Sequence, residues 1–179
     1  LIEFSKQRLI SHLEDASYDR EIISSTCESE NLRHLNILDL ADLKRRIETI
    51  QKFKLGNNTS DLINIISRYT KLASKGNLEN YTYTIKDKIN IELFEKESEK
   101  NVFKFLQLLE KLINSKDWKY IQLINLFEEN IQVLIKIFDK DNGVMIMTED
   151  LNLRNNRLNL LGLIRNYSLL IADFTLLNP

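Results

Sequence analysis

Four polar residues recur on one face of a helix predicted near the middle of the chain. An α-helix advances about 100° per residue, so spacings of four, three and four place these residues on one stripe: Asn64, Arg68, Lys71 and Lys75. Arginine and lysine bind phosphate groups, and an asparagine amide can hydrogen-bond to the edge of an unstacked base. The same spacing is also typical of a solvated helix surface, so both interpretations stay open.

Two tyrosines follow in the least helical stretch, residues 77–92. Residues 81–85 alternate like a strand, but without an evident partner we expect an extended connection packed on helices. Tyr81 and Tyr83 could stack on exposed bases, each contact contributing on the order of 1–3 kcal/mol. Alternatively, the two rings cover an edge of the core.

A second basic cluster comprises Lys44, Arg45 and Arg46. It lies on the polar side of a predicted amphipathic helix, and acidic residues such as Asp42 and Glu48 are within helical reach of it. We expect these carboxylates to neutralise the cluster.

The most distinctive residue order lies in residues 137–177, where a charged loop and an apolar step precede a long helix. Thr148 can cap the helix, while Glu149 and Asp150 place negative charge at the positive end of its dipole. Apolar residues occupy most of the circumference, so this helix should be deeply buried. One polar stripe suits water, a closely packed backbone or a polar ligand: Asn152, Asn155, Asn159, Gly162 and Asn166.

The arginines of this helix share its surface with leucines. Partly buried arginines pair more often with carboxylates such as Asp150, or with backbone carbonyls, than they contact RNA. We therefore assign Arg154, Asn156 and Arg157 to a structural motif. The role of Arg165 stays open, and it is retained as a candidate for RNA binding.

The terminal motif resembles a known family at residues 144–147, Glu149, Asp150, Leu153, Arg154, residues 156–158, Leu160, Leu161 and residues 172–177. This order resembles the C-terminal end of the beta subunit of bacterial-type glycyl-tRNA synthetases. A looser similarity continues through residues 68–73 and 91–94, with Glu97 shortly after. The resemblance covers nearly the whole chain and is weakest before Asn36.

The resemblance implies a helical anticodon-binding domain of the kind shared with several class I synthetases. Such a domain binds glycine tRNA and positions it for aminoacylation by the partner alpha subunit of a heterotetramer. It implies ATP and magnesium for the whole enzyme only, and a chain that is a fragment of a longer subunit. The alternative is a non-catalytic helical scaffold that docks other proteins and has lost RNA binding.

Composition places the chain among ordinary globular proteins, with 43% apolar and 28% charged residues. A formal net charge of −1 disfavours a free-standing, non-specific nucleic-acid binder, so RNA contact requires a local basic face. The single cysteine, Cys27, cannot form an internal disulfide, and we expect a cytoplasmic or organelle-stromal protein. No apolar run approaches the roughly 20 residues that cross a bilayer, so no membrane is expected as a partner. DNA is not expected as a partner either.

Glycine occurs four times and proline once, which favours long helices and an all-α bundle. We predict an N-terminal helical segment over residues 1–35 and a helical domain over residues 36–179. In one predicted helix Trp118 faces inward. The predicted caps are Asn36, Ser60 or Asp61, and Ser115 or Asp117.

Residues suited to independent catalysis are not evident. His12 and His34 are the two histidines, and neither has a second ligand at metal-binding spacing. The four isolated glycines do not form a phosphate-binding loop. Asp139 and Asp141 lack the further oxygen ligands of a calcium loop. We therefore predict no catalytic residue and no metal site.

Overall fold

The computed structural model describes residues 2–32, 39–56 and 59–179. These ranges contain eight α-helices and no strand, which confirms the predicted all-α class. The α-helices are α1 (Ile2–Asp15), α2 (Arg20–Ile23), α3 (Leu40–Lys54), α4 (Thr59–Ala73), α5 (Glu97–Ile113), α6 (Tyr120–Glu129), α7 (Ile131–Lys136) and α8 (Leu151–Leu169). A π-helical turn (Ser24–Glu28) follows α2, and 3-10 turns occur at Glu30–Leu32, Ile91–Leu93 and Phe174–Leu176.

Two expectations fall on residues that lie outside the described ranges. They are the cap at Asn36 and the environment of His34. The domain boundary after residue 35 falls in the same gap and stays a prediction. On its N-terminal side, Leu13 and Ile23 belong to the same buried apolar cluster as the inner face of α3. None of the helices in the described ranges has the length and apolarity needed to span a bilayer.

Helix α8 is the centre of the fold and packs chiefly against α4, with α5 on another side. All of its residues from Asn156 to Leu169 are buried except Asn159. An amphipathic surface helix buries one stripe, whereas this helix is enclosed on most sides, as its apolar circumference predicts.

The cap of α8 is Asp150, and the prediction of Thr148 was wrong. Asp150 Oδ1 accepts hydrogen bonds from the backbone N–H groups of Asn152 (2.8 Å) and Leu153 (3.0 Å). These are two of the four N–H groups that a helix start leaves without an intrahelical partner. Asp150 immediately precedes the helix and has an extended backbone, whereas Thr148 lies two residues upstream.

Helix α4 is amphipathic, and its apolar stripe, which includes Leu62, Ile66 and Tyr69, faces the core. At its start the Thr59 hydroxyl donates to the carbonyls of Phe53 and Gly56, and the predicted caps Ser60 and Asp61 lie inside the helix. After its end the chain passes close to α8. A Cβ on Gly76 would lie 3.0 Å from the Cβ of Leu158, so a small residue is required there.

Helix α6 begins later than predicted. Lys119 precedes it, and the side-chain carbonyl of Gln122 accepts from the Lys119 backbone N–H at 2.8 Å. This bond from the Lys119 backbone to the Gln122 side chain marks the start of α6, so neither Ser115 nor Asp117 is the cap. Trp118 consequently lies in the loop before the helix, where it is half-buried rather than enclosed.

A buried ion pair joins α8 to α5. Arg157 is 3% exposed and donates to Glu99 Oε1 at 2.9 Å, to Glu95 Oε2 at 2.7 Å and to the Met145 carbonyl at 3.0 Å. The predicted carboxylate pairing of Arg157 is present, but with Glu99 and Glu95 rather than Asp150. Burial lowers the pKa of Arg157, and the hydrogen bonds and charges of the two glutamates outweigh that effect and raise it.

Glu99 is completely buried, and its carboxylate also caps the start of α5. Its Oε2 accepts from the backbone N–H groups of Glu95 (2.8 Å) and Lys96 (3.0 Å), which completes the start of α5. The Glu99 carboxylate thus caps the N-terminus of α5 and also neutralises the buried Arg157 guanidinium of α8.

We expect Glu99→Gln to lower the free energy of unfolding by about 3 kcal/mol, because it leaves the buried Arg157 without its enclosed anionic partner. The control is Glu95→Gln, since Glu95 is 63% exposed and its loss should cost under about 1 kcal/mol. Urea unfolding followed by circular dichroism measures both. Equal losses for the two variants would contradict the assignment of Glu99 as the principal partner.

Candidate nucleic-acid interface

The outer face of α4 carries the polar stripe read from the sequence. Asn64, Arg68 and Lys71 are all exposed on this helix. Lys75 is also exposed, but it lies in the turn after α4 because the helix ends at Ala73. The structure therefore brings all four side chains to the surface, three on the helix and one beyond its end. We call these four residues the α4 face.

The cations of the α4 face are not paired with acids in the described part of the chain. Among the described residues, no carboxylate forms an ion pair with Arg68, Lys71 or Lys75. The Arg68 guanidinium lies 4.0 Å from the centroid of the Phe138 ring, which packs edge-on against Tyr69. Such a cation–π contact contributes about 0.5–1 kcal/mol at an exposed site and orients the guanidinium without cancelling its charge.

The second basic cluster differs from the α4 face because its charges are paired. Lys44 lies 3.9 Å from Glu48, and Asp42 lies 3.6 Å from Arg45 and 3.2 Å from Arg46. Arg46 is moreover fully buried, not on the polar side of α3 as the sequence suggested. The predicted neutralisation of this cluster is present in the structure.

Residues 77–90, here called the connecting segment, contain neither helix nor strand. Side chains of α8 hold this segment by hydrogen bonds to its backbone. Asn166 Nδ2 donates to the carbonyls of Glu79 (2.7 Å) and Thr82 (2.8 Å). The remaining donors are Arg165 to the Leu78 carbonyl, Tyr167 to Tyr83, Asn159 to Lys88 and Asn156 to Asn90.

The polar stripe of α8 therefore faces a closely packed backbone, which is one of the three roles left open by the sequence. A Cβ on Gly162 would lie 2.9 Å from Leu78 Cδ2, so the missing side chain lets the connecting segment approach the helix. Asn152 and Asn155, at the start of α8, stay exposed. These contacts hold the connecting segment in a defined position although it has no regular secondary structure.

The two tyrosines of the connecting segment have different environments. Tyr81 is 60% exposed and presents its ring at the surface. Tyr83 is half-buried, its ring centroid lies 6.0 Å from that of Tyr167, and burial raises its pKa to about 12. Tyr83 thus covers an edge of the core, while the Tyr81 ring is exposed to solvent.

Arg165 lies inside the protein, so it is removed from the candidates for RNA contact. It is 5% exposed, and its guanidinium donates to Leu78 O at 2.6 Å and to Asn166 Oδ1 at 2.9 Å. Burial lowers its pKa. The sequence did not reveal this because the carbonyl partner belongs to a segment 87 residues away along the chain.

Glu99 is the important residue that sequence reasoning missed. A signal was present, since Glu99 shares the helical spacing of the buried Val102 and Leu106 of α5. A carboxylate within an apolar stripe requires a partner, which here is Arg157. Within the described ranges, the acidic, histidine and cysteine side chains form no cluster of three that could hold a metal ion.

The fold and this surface define an all-helical protein with an open basic face, and the comparisons with known proteins are specific. The chain is 31% identical to the glycine–tRNA ligase beta subunit of Synechocystis sp., over 96% of this chain and 25% of that protein. The corresponding beta subunits of Gloeothece citriformis and Persephonella marina are 29% and 28% identical over 97% and 98% of the chain. No family model matches the chain.

The chain is therefore a homologue of glycine–tRNA ligase beta subunits, as the terminal motif indicated. It spans about a quarter of the length of the curated relatives it matches.

We expect Asn166→Ala to loosen the connecting segment, because the Glu79 and Thr82 carbonyls both lose their donor, at a cost of about 1–3 kcal/mol. Amide hydrogen exchange should rise in residues 77–90 and stay unchanged in α5. The control is Asn155→Ala on the exposed side of the same helix, which should shift stability by less than about 0.5 kcal/mol. Unchanged hydrogen exchange in the Asn166 variant would contradict the assignment of Asn166 as the residue that holds the connecting segment against α8.

Proposed function

We propose that this chain is the tRNA-binding, anticodon-recognising part of a glycine–tRNA ligase beta subunit. The observation that carries the proposal is the α4 face, where Arg68, Lys71 and Lys75 are exposed and have no acidic partner in the described ranges. In the second basic cluster, on α3, the charges are instead paired with carboxylates. Exposed basic residues alone therefore do not produce an unpaired positive surface. The similarity to glycine–tRNA ligase beta subunits supports glycine tRNA as the RNA of this proposal.

In this proposal the three cations bind phosphates of the anticodon stem and loop. Phosphate contacts fix register, while contacts to base edges carry sequence information. Asn64 offers both a donor and an acceptor to an unstacked base, and Tyr81 offers a ring for stacking. The hydrogen bonds from α8 to the connecting segment keep Tyr81 in a defined position relative to the core.

The mechanism we propose is positional and involves no covalent step in this region. Binding energy gained at the anticodon orients the distant acceptor end toward the partner alpha subunit of the heterotetramer. ATP and magnesium serve the whole enzyme, and no cofactor is assigned here. We place the protein in the cytoplasm or an organelle stroma, where its tRNA is found.

The second candidate is a helical scaffold that binds other proteins and not RNA. The observation favouring it is the overall charge of −1, which provides little long-range attraction for RNA. Titration with glycine tRNA and with an anticodon-changed version separates the two functions. Equal and negligible binding of both RNAs supports the scaffold, and preferential binding of the unchanged tRNA supports anticodon recognition.

We expect the double variant Arg68→Gln, Lys71→Gln to weaken the binding of glycine tRNA about tenfold. The slope of log K against log salt should also become shallower by roughly one for each phosphate that the variant no longer binds. Fluorescence anisotropy with labelled tRNA at several salt concentrations measures both quantities.

The matched control for this experiment is Lys100→Gln, Lys104→Gln on α5. It changes the net charge by the same amount but removes exposed cations that already face Glu97. This control should bind nearly as the unchanged protein does. Similar weakening in both double variants would show that only total charge matters, and the α4 face would lose its assigned role.

A further inference from the structure

A cavity of about 580 Å³ lies between α3 and the loop that precedes α6. Its size is within the range of about 300–1,000 Å³ typical of small-molecule sites. Sequence periodicity assigned Trp118 to core packing, and Trp118 does pack against the core cluster, but it lies in the loop before α6 and also lines the cavity. Its lining includes two aromatic residues, Trp118 and Tyr120, three lysines, Lys52, Lys116 and Lys119, and Thr49.

The aromatic part of the cavity is held in place by fixed contacts. The rings of Trp118 and Tyr120 meet edge-on at 85°, with centroids 5.0 Å apart. The Tyr120 hydroxyl donates to Asp42 Oδ1 at 2.8 Å, and burial together with this bond raises its pKa, so it stays protonated. An indole braced in this way offers a stacking surface with little rotamer freedom left to lose.

The cavity lining contains four cationic and three acidic side chains, and two of the three acids have partners within the protein. Asp42 accepts from Arg46 and Tyr120, and Glu48 lies 3.9 Å from Lys44. Asp117 is exposed and adds one negative charge. In the part of the chain that the structure describes, Lys52, Lys116 and Lys119 form no ion pair with any carboxylate.

A braced tryptophan beside unneutralised lysines matches the two needs of single-stranded nucleic-acid binding, a stacking platform and a positive groove. Thr49 of α3 also lines the cavity, and because its hydroxyl donates to the Arg45 carbonyl at 2.8 Å, it offers a ligand only an acceptor. An acidic peptide would use the lysines but not the indole face, so the combination favours a nucleotide.

We propose that this cavity binds one unstacked nucleotide of a single-stranded RNA region, with Trp118 stacking on the base and Lys52 and Lys116 binding the adjoining phosphates. Under the proposed function, on which this inference rests for the identity of the RNA, that region belongs to glycine tRNA. The site is built on α3 and the loop that precedes α6, and it is distinct from the α4 face.

Trp118 is the sole tryptophan of the sequence, so its fluorescence reports directly on the cavity. We expect glycine tRNA and a short oligouridylate each to quench Trp118 emission in step with the rise in anisotropy of the labelled RNA. Lys52→Gln, Lys116→Gln should weaken oligouridylate binding about tenfold and shift the quenching curve equally. Trp118→Leu should weaken it by a similar factor.

The matched control is Lys100→Gln, Lys104→Gln on α5, which removes two exposed cations that face Glu97. It should leave both the quenching and the affinity unchanged. The lysine substitutions alter exposed side chains only, so a loss of binding in them reflects the site rather than the fold.

The two proposals fail in different ways. Glycine tRNA that binds with full affinity while Trp118 emission stays constant overturns the cavity and leaves the proposed function intact. Oligouridylate that quenches Trp118 while neither tRNA binds overturns the anticodon role and supports a single-stranded RNA site. Equal weakening by the Lys52/Lys116 and Lys100/Lys104 variants overturns the cavity, because charge alone then explains binding.

Discussion

Polar groups buried by α8 must find partners inside the protein, and the structure depends on how they do so. A buried amide or guanidinium without a hydrogen bond costs about as much free energy as several surface contacts contribute. Helix α8 meets this requirement twice. Arg157 pairs with the buried Glu99 of α5, and Asn166 with its neighbours binds carbonyls of the connecting segment. The helix therefore joins α5 and an irregular segment by bonds that only one arrangement satisfies.

The buried position of α8 also determines which side chains of α4 and of the connecting segment lie at the surface. Because α8 occupies the inner side of α4, the opposite side of α4 is left to solvent. Because α8 fixes the backbone of the connecting segment, Tyr81 is displayed from a segment that would otherwise have no defined position. The candidate interface is thus a product of interior hydrogen bonding, although none of its exposed residues takes part in those bonds.

The arginines and lysines of this protein occupy two kinds of environment, interior and exposed. Residue type alone does not indicate which environment a given residue occupies. Arg46, Arg157 and Arg165 are interior and hold backbone or carboxylate groups, whereas Arg68 and Lys71 are exposed and form no ion pair with any described carboxylate. What separates them is whether the fold brings an acceptor to them. This distinction gives a protein with a net charge of −1 a local positive surface, and it applies equally to the lysines around Trp118.

Local features of the chain determined much of the result. Few glycines and one proline, with apolar residues at helical spacing, set the all-α class and the inner faces of α3, α4 and α5. The nearly all-apolar circumference of α8 predicted its burial, and the order of its residues was enough to identify the homologous family. These properties depend on neighbours within one or two helical turns, which a sequence displays directly.

Tertiary structure decided the rest. Asp150 rather than Thr148 caps α8 because capping depends on which residue has an extended backbone just before the first turn. The partners of Arg157 and Arg165 lie 58 and 87 residues away, and no helical periodicity connects them. Trp118 lines a cavity because Gln122 sets the start of α6. Pairings between distant segments come from packing in three dimensions, so only the folded chain specifies them.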